Sequence, residues 1–260
     1  MHAWLMYDSD GAVRNRDYID YHYDLGRELG IGFDMHIIDE LTIDRLVDYI
    51  ADEHPDVAIV RTICPKLNRI LESEGVVTHN SYRLSYITND KKRCIGFIMD
   101  NTDVPCVPCK ETMEPGDVIK PLSGHGGIGV RRATESGSVP DGHVCQPFID
   151  GPHEDVRVYV IGKRIVAAVK RTAPKGEFRA NASLGGMTSR YELRERDRDY
   201  VEQIINVIHD GLIGIDFIID SDGRFVFSEI EDVVGARMLY KTHPEIDILR
   251  EYLVWITENY

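Results

Sequence analysis

Long apolar runs are missing from this chain. No stretch approaches the ~20 consecutive apolar residues of a membrane-spanning helix. Met1 to Met6 is apolar but meets Asp8 and Asp10 at once and lacks a basic flank and a cleavage site, so no signal peptide is expected. Cysteine is scarce and odd in number, 5 among 260 residues, which argues against a disulfide framework and for a reducing, cytoplasmic setting. Positive charge is in deficit: 30 Lys and Arg face 44 Asp and Glu, for a net charge of −14 and a pI near 5.1. Nucleic acid and anionic membrane surfaces both need clustered Lys and Arg, so neither is an expected partner. Internal repeats and low-complexity tails are absent as well.

What remains is an ordinary globular composition, 43% apolar and 28% charged. A chain of 260 residues suits two or three small lobes. The first third alternates strand and helix patterns. Strands are expected at His2–Tyr7, Phe33–Ile38, Asp56–Arg61 and Gly75–Thr78, with helices carrying Tyr18 to Leu29, Ile43 to Ile50 (capped by Thr42) and Lys66–Glu74. That alternation favours a mostly parallel sheet covered by helices. From Ser81, helices are expected at Tyr82–Ile87 and, capped by Asn89, at Asp90–Met99. A Gly- and Pro-rich stretch follows, with strands at Asp117–Pro121 and Ile128–Arg132. The last part reads as α+β. Hairpins join Val156–Ile161 to Arg164–Lys170 and Ile213–Ile219 to Arg224–Ile230, and amphipathic helices run over Arg194–Gly211 and through Ile246 to Ile256.

Three groups of residues carry chemistry. Four glycines fall within Ser123-Gly-His-Gly-Gly-Ile-Gly129, between two strand patterns, with Lys120 just before them. Glycine lets backbone approach a ligand closely, and successive N–H groups can cradle phosphate. In a P-loop or a dinucleotide-binding fingerprint the glycines open a helix. Here a strand follows, which suggests a flap over a triphosphate; a bare surface hairpin is the plainer reading. Second, Glu229 and Glu231 share a strand face, and pairing across the 220–223 turn puts Asp216 level with Glu229. Three converging carboxylates repel one another unless a cation sits among them, and Mg²⁺ takes oxygen ligands. A solvated acidic face is the alternative, weakened by the apolar neighbours Ile215, Phe217, Phe227 and Ile230. Third, Arg157, Lys170-Arg171 and Arg179 form a basic cluster inside an acidic protein, suited to a phosphate-rich ligand or to simple charge balance.

In chain order, Asp90-Lys91, Ile119 to Val130, Cys145-Gln-Pro-Phe-Ile149, Asp155-Val-Arg157, Lys170 to Asn181 with Gly-Glu-Phe-Arg-Ala-Asn inside it, Leu184-Gly-Gly186, Gly214-Ile-Asp216 and Glu229-Ile-Glu231 resemble the RimK-like branch of the ATP-grasp ligases. The resemblance spans essentially the whole chain. It implies an α/β and α+β architecture: an N-terminal α/β (pre-ATP-grasp) lobe over 1–80, a short central lid over 81–145 and a C-terminal antiparallel-sheet lobe over 146–260. Lys91 and Lys120 would contact ATP phosphates, with Ser123, Gly124, Gly126 and Gly127 covering them. Gln146, Pro147, Phe148 and Ile149 would meet the adenine edge, and Glu154 or Asp155 the ribose. Arg157, Lys170, Arg171 and Arg179 would face the phosphates and the developing acyl phosphate, with Asn181 beside them. Asp216, Glu229 and Glu231 would hold Mg²⁺, or Mn²⁺ in its place.

The implied reaction is phosphoryl transfer to a carboxylate, followed by amine attack to give an amide, a chemistry of positioning and charge stabilisation. Its substrates would be an amino acid, a peptide or a peptide-like metabolite. Two departures stand out. Glu231 and Asp232-Val-Val-Gly-Ala-Arg replace the family's Asn and Pro-Gly turn, which makes Arg237 a candidate substrate contact, and the interval from Lys120 to Cys145 is short. These departures support a second reading, a nucleotide-binding module without turnover; a third and weaker one is a ligase that crosslinks side chains of a precursor peptide. Cys106-Val-Pro-Cys109 is half a zinc motif with no second half and is read as structural. Asp8 and Arg61, at carboxyl ends of strands, are further candidate substrate contacts. A homo-oligomer is left open.

Overall fold

The computed structural model describes residues 1–38, 45–124, 126–180 and 185–260. Thr42, Ile43, His125, Asn181 and Leu184 lie outside the described residues. The elements begin with β1 (His2–Asp8), α1 (Ser9–Arg14), α2 (Arg16–Leu29), β2 (Gly32–Ile38), α3 (Leu46–Glu53), β3 (Val57–Val60), α4 (Pro65–Ser73) and β4 (Val77–His79). They continue with α5 (Tyr82–Thr88), α6 (Lys91–Asn101), β5 (Thr112–Met113), β6 (Val118–Pro121), β7 (Arg131–Arg132), β8 (Gly137–Ser138) and β9 (His143–Gln146). The last are β10 (Glu154–Ile161), β11 (Arg164–Thr172), β12 (Met187–Arg190), α7 (Glu195–Val207), β13 (Leu212–Ile219), β14 (Phe225–Glu231), α8 (Arg237–Thr242) and α9 (Ile248–Asn259).

Two compact units result. The first holds residues 1–86, 209–212 and 247–260. Its four strands pair in parallel in the order β2-β1-β3-β4. Ala3 to Tyr7 are all buried. A strand covered on both faces loses the apolar–polar alternation, which is why β1 reads as a continuous apolar run. One face is filled by Trp4, Met6, Ala58 and Val60 against Leu46, Ile50, Leu67 and Leu71 of α3 and α4. Helices α2 and α9 pack together. Gly30, at φ +73, ends α2 in the left-handed conformation that glycine adopts without strain. Asp247 caps α9 through Arg250 N at 3.1 Å and accepts a short hydrogen bond from the Tyr21 hydroxyl.

The second unit holds residues 87–208 and 213–246. Its main sheet has the strand order β12-β11-β10-β13-β14. The pairs β10–β11, β11–β12 and β13–β14 are antiparallel. Phe217 stacks on Phe225 with ring centroids 4.7 Å apart. Lys163, in the β10–β11 turn, donates to the Ile208 carbonyl at 2.8 Å and fixes the carboxyl end of α7. Two small sheets, β7-β6-β9 and β5-β8, enclose a separate core of Ile119, Ala133 and Cys145 with Met113 and Val139 beside it.

Three local expectations change. The cap of α6 is Asp90, not Asn89: the Asp90 side chain accepts from Arg93 N at 2.9 Å. The strand expected over 128–132 shrinks to Arg131–Arg132, because Gly126, Gly127 and Gly129 adopt φ of +72, +74 and +75, which breaks an extended path. Helix α8 and strand β12 were not foreseen; each is short, and neither carries enough apolar periodicity to announce itself. Among the described residues no helix is long and apolar enough to cross a membrane.

Candidate functional site

The second unit contains an open cleft with a cavity volume of about 130 Å³. One wall is apolar, with Val107, Val118, Phe148, Ile149, Phe178 and Ile218. Phe148 meets Phe178 edge to face at 6.1 Å between centroids, and the Arg132 guanidinium lies 3.7 Å from the Phe148 centroid. Gln146 comes from the end of β9 and is almost fully buried. Its Nε2 donates to the Val107 carbonyl at 2.7 Å, while its Oε1 is buried with no protein partner. The apolar wall suits the face of a planar ligand such as a nucleobase.

The other end of the cleft is charged. Lys91, the first residue of α6, donates from Nζ to the Gly124 carbonyl at 2.9 Å and pairs with Glu229 Oε2 at 3.1 Å. It thereby ties the glycine-rich segment to β14. Lys120 on β6 reaches Ser228 Oγ at 3.4 Å. Burial pushes its ammonium below the usual lysine range, with Glu229 opposing the shift. Ser228 owes its place to a bulge. Asp216 pairs with Glu229 and Phe217 with Phe227, so Ser228 has no partner opposite it in the ladder.

On the main sheet, Asp155 and Arg157 share a strand face, and Arg171 stands opposite Asp155. Asp216 accepts from Arg157 Nε and Nη2 at 2.7 Å each and from Arg171 Nη2 at 2.7 Å. Arg157 also reaches Glu231 Oε2 at 2.6 Å, and Arg171 pairs with Asp155. Burial would raise the Asp216 carboxyl, but the two guanidiniums outweigh it and hold it below the usual range. Burial raises Asp155 and Glu231 against the same arginines. Gly214 makes room for this arrangement: a Cβ there would lie 2.7 Å from Val234 Cγ2 and 3.1 Å from Arg157 Cδ.

Of the residues singled out in the sequence, Lys91, Lys120, Ser123, Gly124, Gly127, Gln146, Pro147, Phe148 and Ile149 all line this cleft. So do Glu154, Asp155, Arg171, Arg179, Asp216 and Glu229. Gly126, Arg157, Lys170 and Glu231 do not. Lys170 pairs with Glu154 at 2.9 Å, and Arg157 sits between Asp216 and Glu231. Arg179 is held by Glu177 at 2.7 Å and donates to the Gly127 and Val130 carbonyls at 3.3 and 3.4 Å, bracing the glycine-rich segment. Arg237 is exposed at the start of α8 and is not part of the lining. Asp8 and Arg61 lie in the first unit, where Asp8 accepts from Gly11 N at 2.6 Å and from Thr62 Oγ1 at 2.8 Å. Cys106 and Cys109 are free and half-buried, and no group of metal-compatible side chains among the described residues contains a cysteine. Sequence reasoning did not single out Ser228, Phe178, His153 or Arg132. Only the bulge placing Ser228 had a local cause, and a bulge leaves no mark in residue order.

The carboxylates fit a hard divalent ion. One oxygen from each of Asp216, Glu229 and Glu231 lies within 4.8 Å of the others. Lys91, Lys120, Arg157 and Arg171 face Asp155, Asp216, Glu229 and Glu231, four cations against four carboxylates. A triphosphate arriving in this balanced site needs added positive charge, which an oxygen-bound Mg²⁺ shared with phosphate supplies.

Comparison with known proteins agrees with this geometry. Residues 111–256 match the RimK-like ATP-grasp domain. The chain is 24% identical over 240 residues to the uncharacterized protein MG011 homolog of Mycoplasma pneumoniae, covering 84% of each chain. It is 31% identical over 153 residues to a probable alpha-L-glutamate ligase of Haemophilus influenzae, covering 55% of this chain and 50% of that one. The match thus spans about half the length of that curated ligase. Among solved structures, D-alanine–D-alanine ligase from Bacillus anthracis in complex with ATP superposes with a TM-score of 0.70 at 13% identity, over 98% of this chain and 94% of that one. The fold is ATP-grasp, and the chain belongs to the RimK-like branch of the ATP-grasp ligases.

Proposed function

We propose that this protein is an ATP- and Mg²⁺-dependent carboxylate–amine ligase that forms an amide through an acyl phosphate. The observation that carries the proposal is one cleft lined both by the apolar side chains Val107, Val118, Phe148, Ile149, Phe178 and Ile218 and by Lys91, Lys120, Arg171, Asp216 and Glu229. The adenine ring lies against Phe148, the Gln146 region and Ile149. Glu154 and Asp155 stand near the ribose. Lys91 and Lys120 hold the phosphates under the 124–129 segment. Asp216, Glu229 and Glu231 would hold the metal, and the chemistry it would supply there is neutralisation of phosphate charge.

In the first step a carboxylate oxygen of the substrate bonds to the terminal phosphorus, the bridging P–O bond breaks, and ADP leaves with the electron pair. In the second, an amine nitrogen attacks the acyl carbon, inorganic phosphate leaves, and the nitrogen loses a proton. Arg171 and Arg179 are placed to stabilise the charge that builds on the oxygens. Arg157 holds the Asp216 carboxyl below its usual range and aligns both Asp216 and Glu231.

Relatives named as glutamate ligases put glutamate first among candidate substrates, followed by short peptides. The test is trapping with hydroxylamine in the presence of ATP, Mg²⁺ and a panel of amino acids, dipeptides and small polyacids. A hydroxamate of one panel member, formed with stoichiometric ADP, supports the acyl phosphate. ATP binding without hydroxamate or ADP from any member would favour a nucleotide-binding module.

A further inference from the structure

The first unit carries a second group of side chains suited to a metal, and its donors differ from those of the acidic triad. Strands β1 and β2 run parallel with His2 opposite Gly32, Trp4 opposite Asp34 and Met6 opposite His36. Alternate strand residues share a face, so His2, Trp4, Asp34 and His36 stand on the same side of the sheet. Helix α3 covers that side: its Leu46 and Ile50 belong to the buried cluster around Trp4. The helix ends on Glu53, which brings a carboxylate over the same polar corner. One ligand atom from each of His2, Asp34 and Glu53 lies within 4.8 Å of the others. His2 Nε2 is 2.8 Å from Asp34 Oδ2, and His36 Nε2 is 3.1 Å from Glu53 Oε2. The His36 ring is seated against Trp4, with centroids 4.3 Å apart.

We propose that His2, Asp34 and Glu53 bind a zinc-class divalent ion, with His36 orienting Glu53 from outside the coordination shell. Imidazole nitrogen combined with carboxylate oxygen suits Zn²⁺ and the neighbouring first-row ions and discriminates against Mg²⁺, which prefers oxygen alone. A histidine hydrogen-bonded to a ligating carboxylate is the kind of outer partner that sets ligand direction. The side chains of Asp34 and Glu53 are 62% and 36% exposed, which leaves them free to close on an ion while a fourth position stays open to water. The bound ion links the edge strand β2, the start of β1 and the end of α3, three segments far apart in sequence. It therefore stabilises the folded first unit by mass action. This site is independent of the ligase reading.

The test uses the whole chain without a polyhistidine tag, titrated with Zn²⁺, Co²⁺ and Mg²⁺ by calorimetry, and with Co²⁺ by tryptophan fluorescence. Trp4 is one of two tryptophans and lies against His36, so an open-shell ion here quenches it. The proposal expects one Zn²⁺ site whose affinity falls at least ~10-fold in Asp34→Asn and in Glu53→Gln, with quenching lost in parallel. Glu229→Gln leaves that site intact, Mg²⁺ does not compete for it, and Zn²⁺ raises the thermal midpoint of the wild type but not of the two variants. Zn²⁺ binding abolished only by Glu229→Gln, or no binding up to millimolar Zn²⁺, or affinity unchanged in both Asp34→Asn and Glu53→Gln, overturns it. Both variant positions are at the surface, and circular dichroism establishes that each variant is folded before titration.

Discussion

Arg157 is the residue on which the acidic face depends. The sequence argument was that three converging carboxylates need a cation among them. The structure places a guanidinium beside two of them, bonded to Asp216 twice and to Glu231, while Glu229 pairs with Lys91. Removing one partner of a buried ion pair leaves uncompensated charge, at a cost of about 3–5 kcal/mol. Arg157→Ala is therefore expected to lower unfolding stability by that amount in urea titrations, and Arg157→Lys, which keeps the charge but not the fork, by less. Gly214→Ala should act the same way from a distance, because its methyl group displaces Val234 and Arg157 together.

His22 gives a second residue-scale prediction. It is buried, Tyr18's carbonyl lies 2.7 Å from its Nδ1, and burial lowers its pKa from 6.5 to about 3. The unfolded chain takes up that proton near pH 6.5 and the folded chain does not, so stability is complete above pH 6.5 and falls on acidification. The slope is about 1.4 kcal/mol per pH unit for each such group, or roughly 2 kcal/mol between pH 6.5 and 5. His79, lowered by burial to about 4, adds a similar loss over the same interval. Unfolding free energies measured at pH 7, 6 and 5 should show this decline, and His22→Gln should flatten it.

At the scale of elements, the glycine-rich segment and the strands flanking the site decide binding. Gly124 has φ +111, a conformation closed to residues with a Cβ. Gly124→Ala is expected to strain this segment and weaken ATP binding about tenfold or more, read by equilibrium titration, through backbone conformation alone, because nothing lies within 4 Å of the added methyl group.

The elements also show what residue order reveals. The pairing of Asp216 with Glu229 followed from a hairpin with a short turn and period-two alternation, and it is present in the structure. The parallel sheet followed from strands spaced by amphipathic helices. The second strand of the glycine hairpin was overestimated, since a run of positive-φ glycines cannot be told from an extended segment by composition alone. Ser228 beside Lys120 depends on a bulge that only the three-dimensional pairing reveals. The partners of Arg157 and Arg179 within the protein, Asp216 and Glu231 for the first and Glu177 for the second, were not legible. Their charge was legible, but whether a guanidinium faces a ligand or a neighbouring carboxylate depends on which strands meet.

For the whole molecule, the acidic composition and the charge-balanced interior of one cleft fit together. The net charge of −14 resides mostly outside the cleft, where Lys91, Lys120, Arg157 and Arg171 balance their own carboxylates. Such a molecule repels polyanions at large yet accepts a triphosphate where cations are fixed and desolvated. The most direct measurement is Mg²⁺-dependent ADP release by the wild type and by Glu229→Ala, across amino acids, dipeptides and small polyacids. The account predicts release that requires both Mg²⁺ and one class of acceptor, and that falls by about 100-fold or more in the variant. Release that persists in Glu229→Ala, or a wild type that binds no ATP, would contradict it.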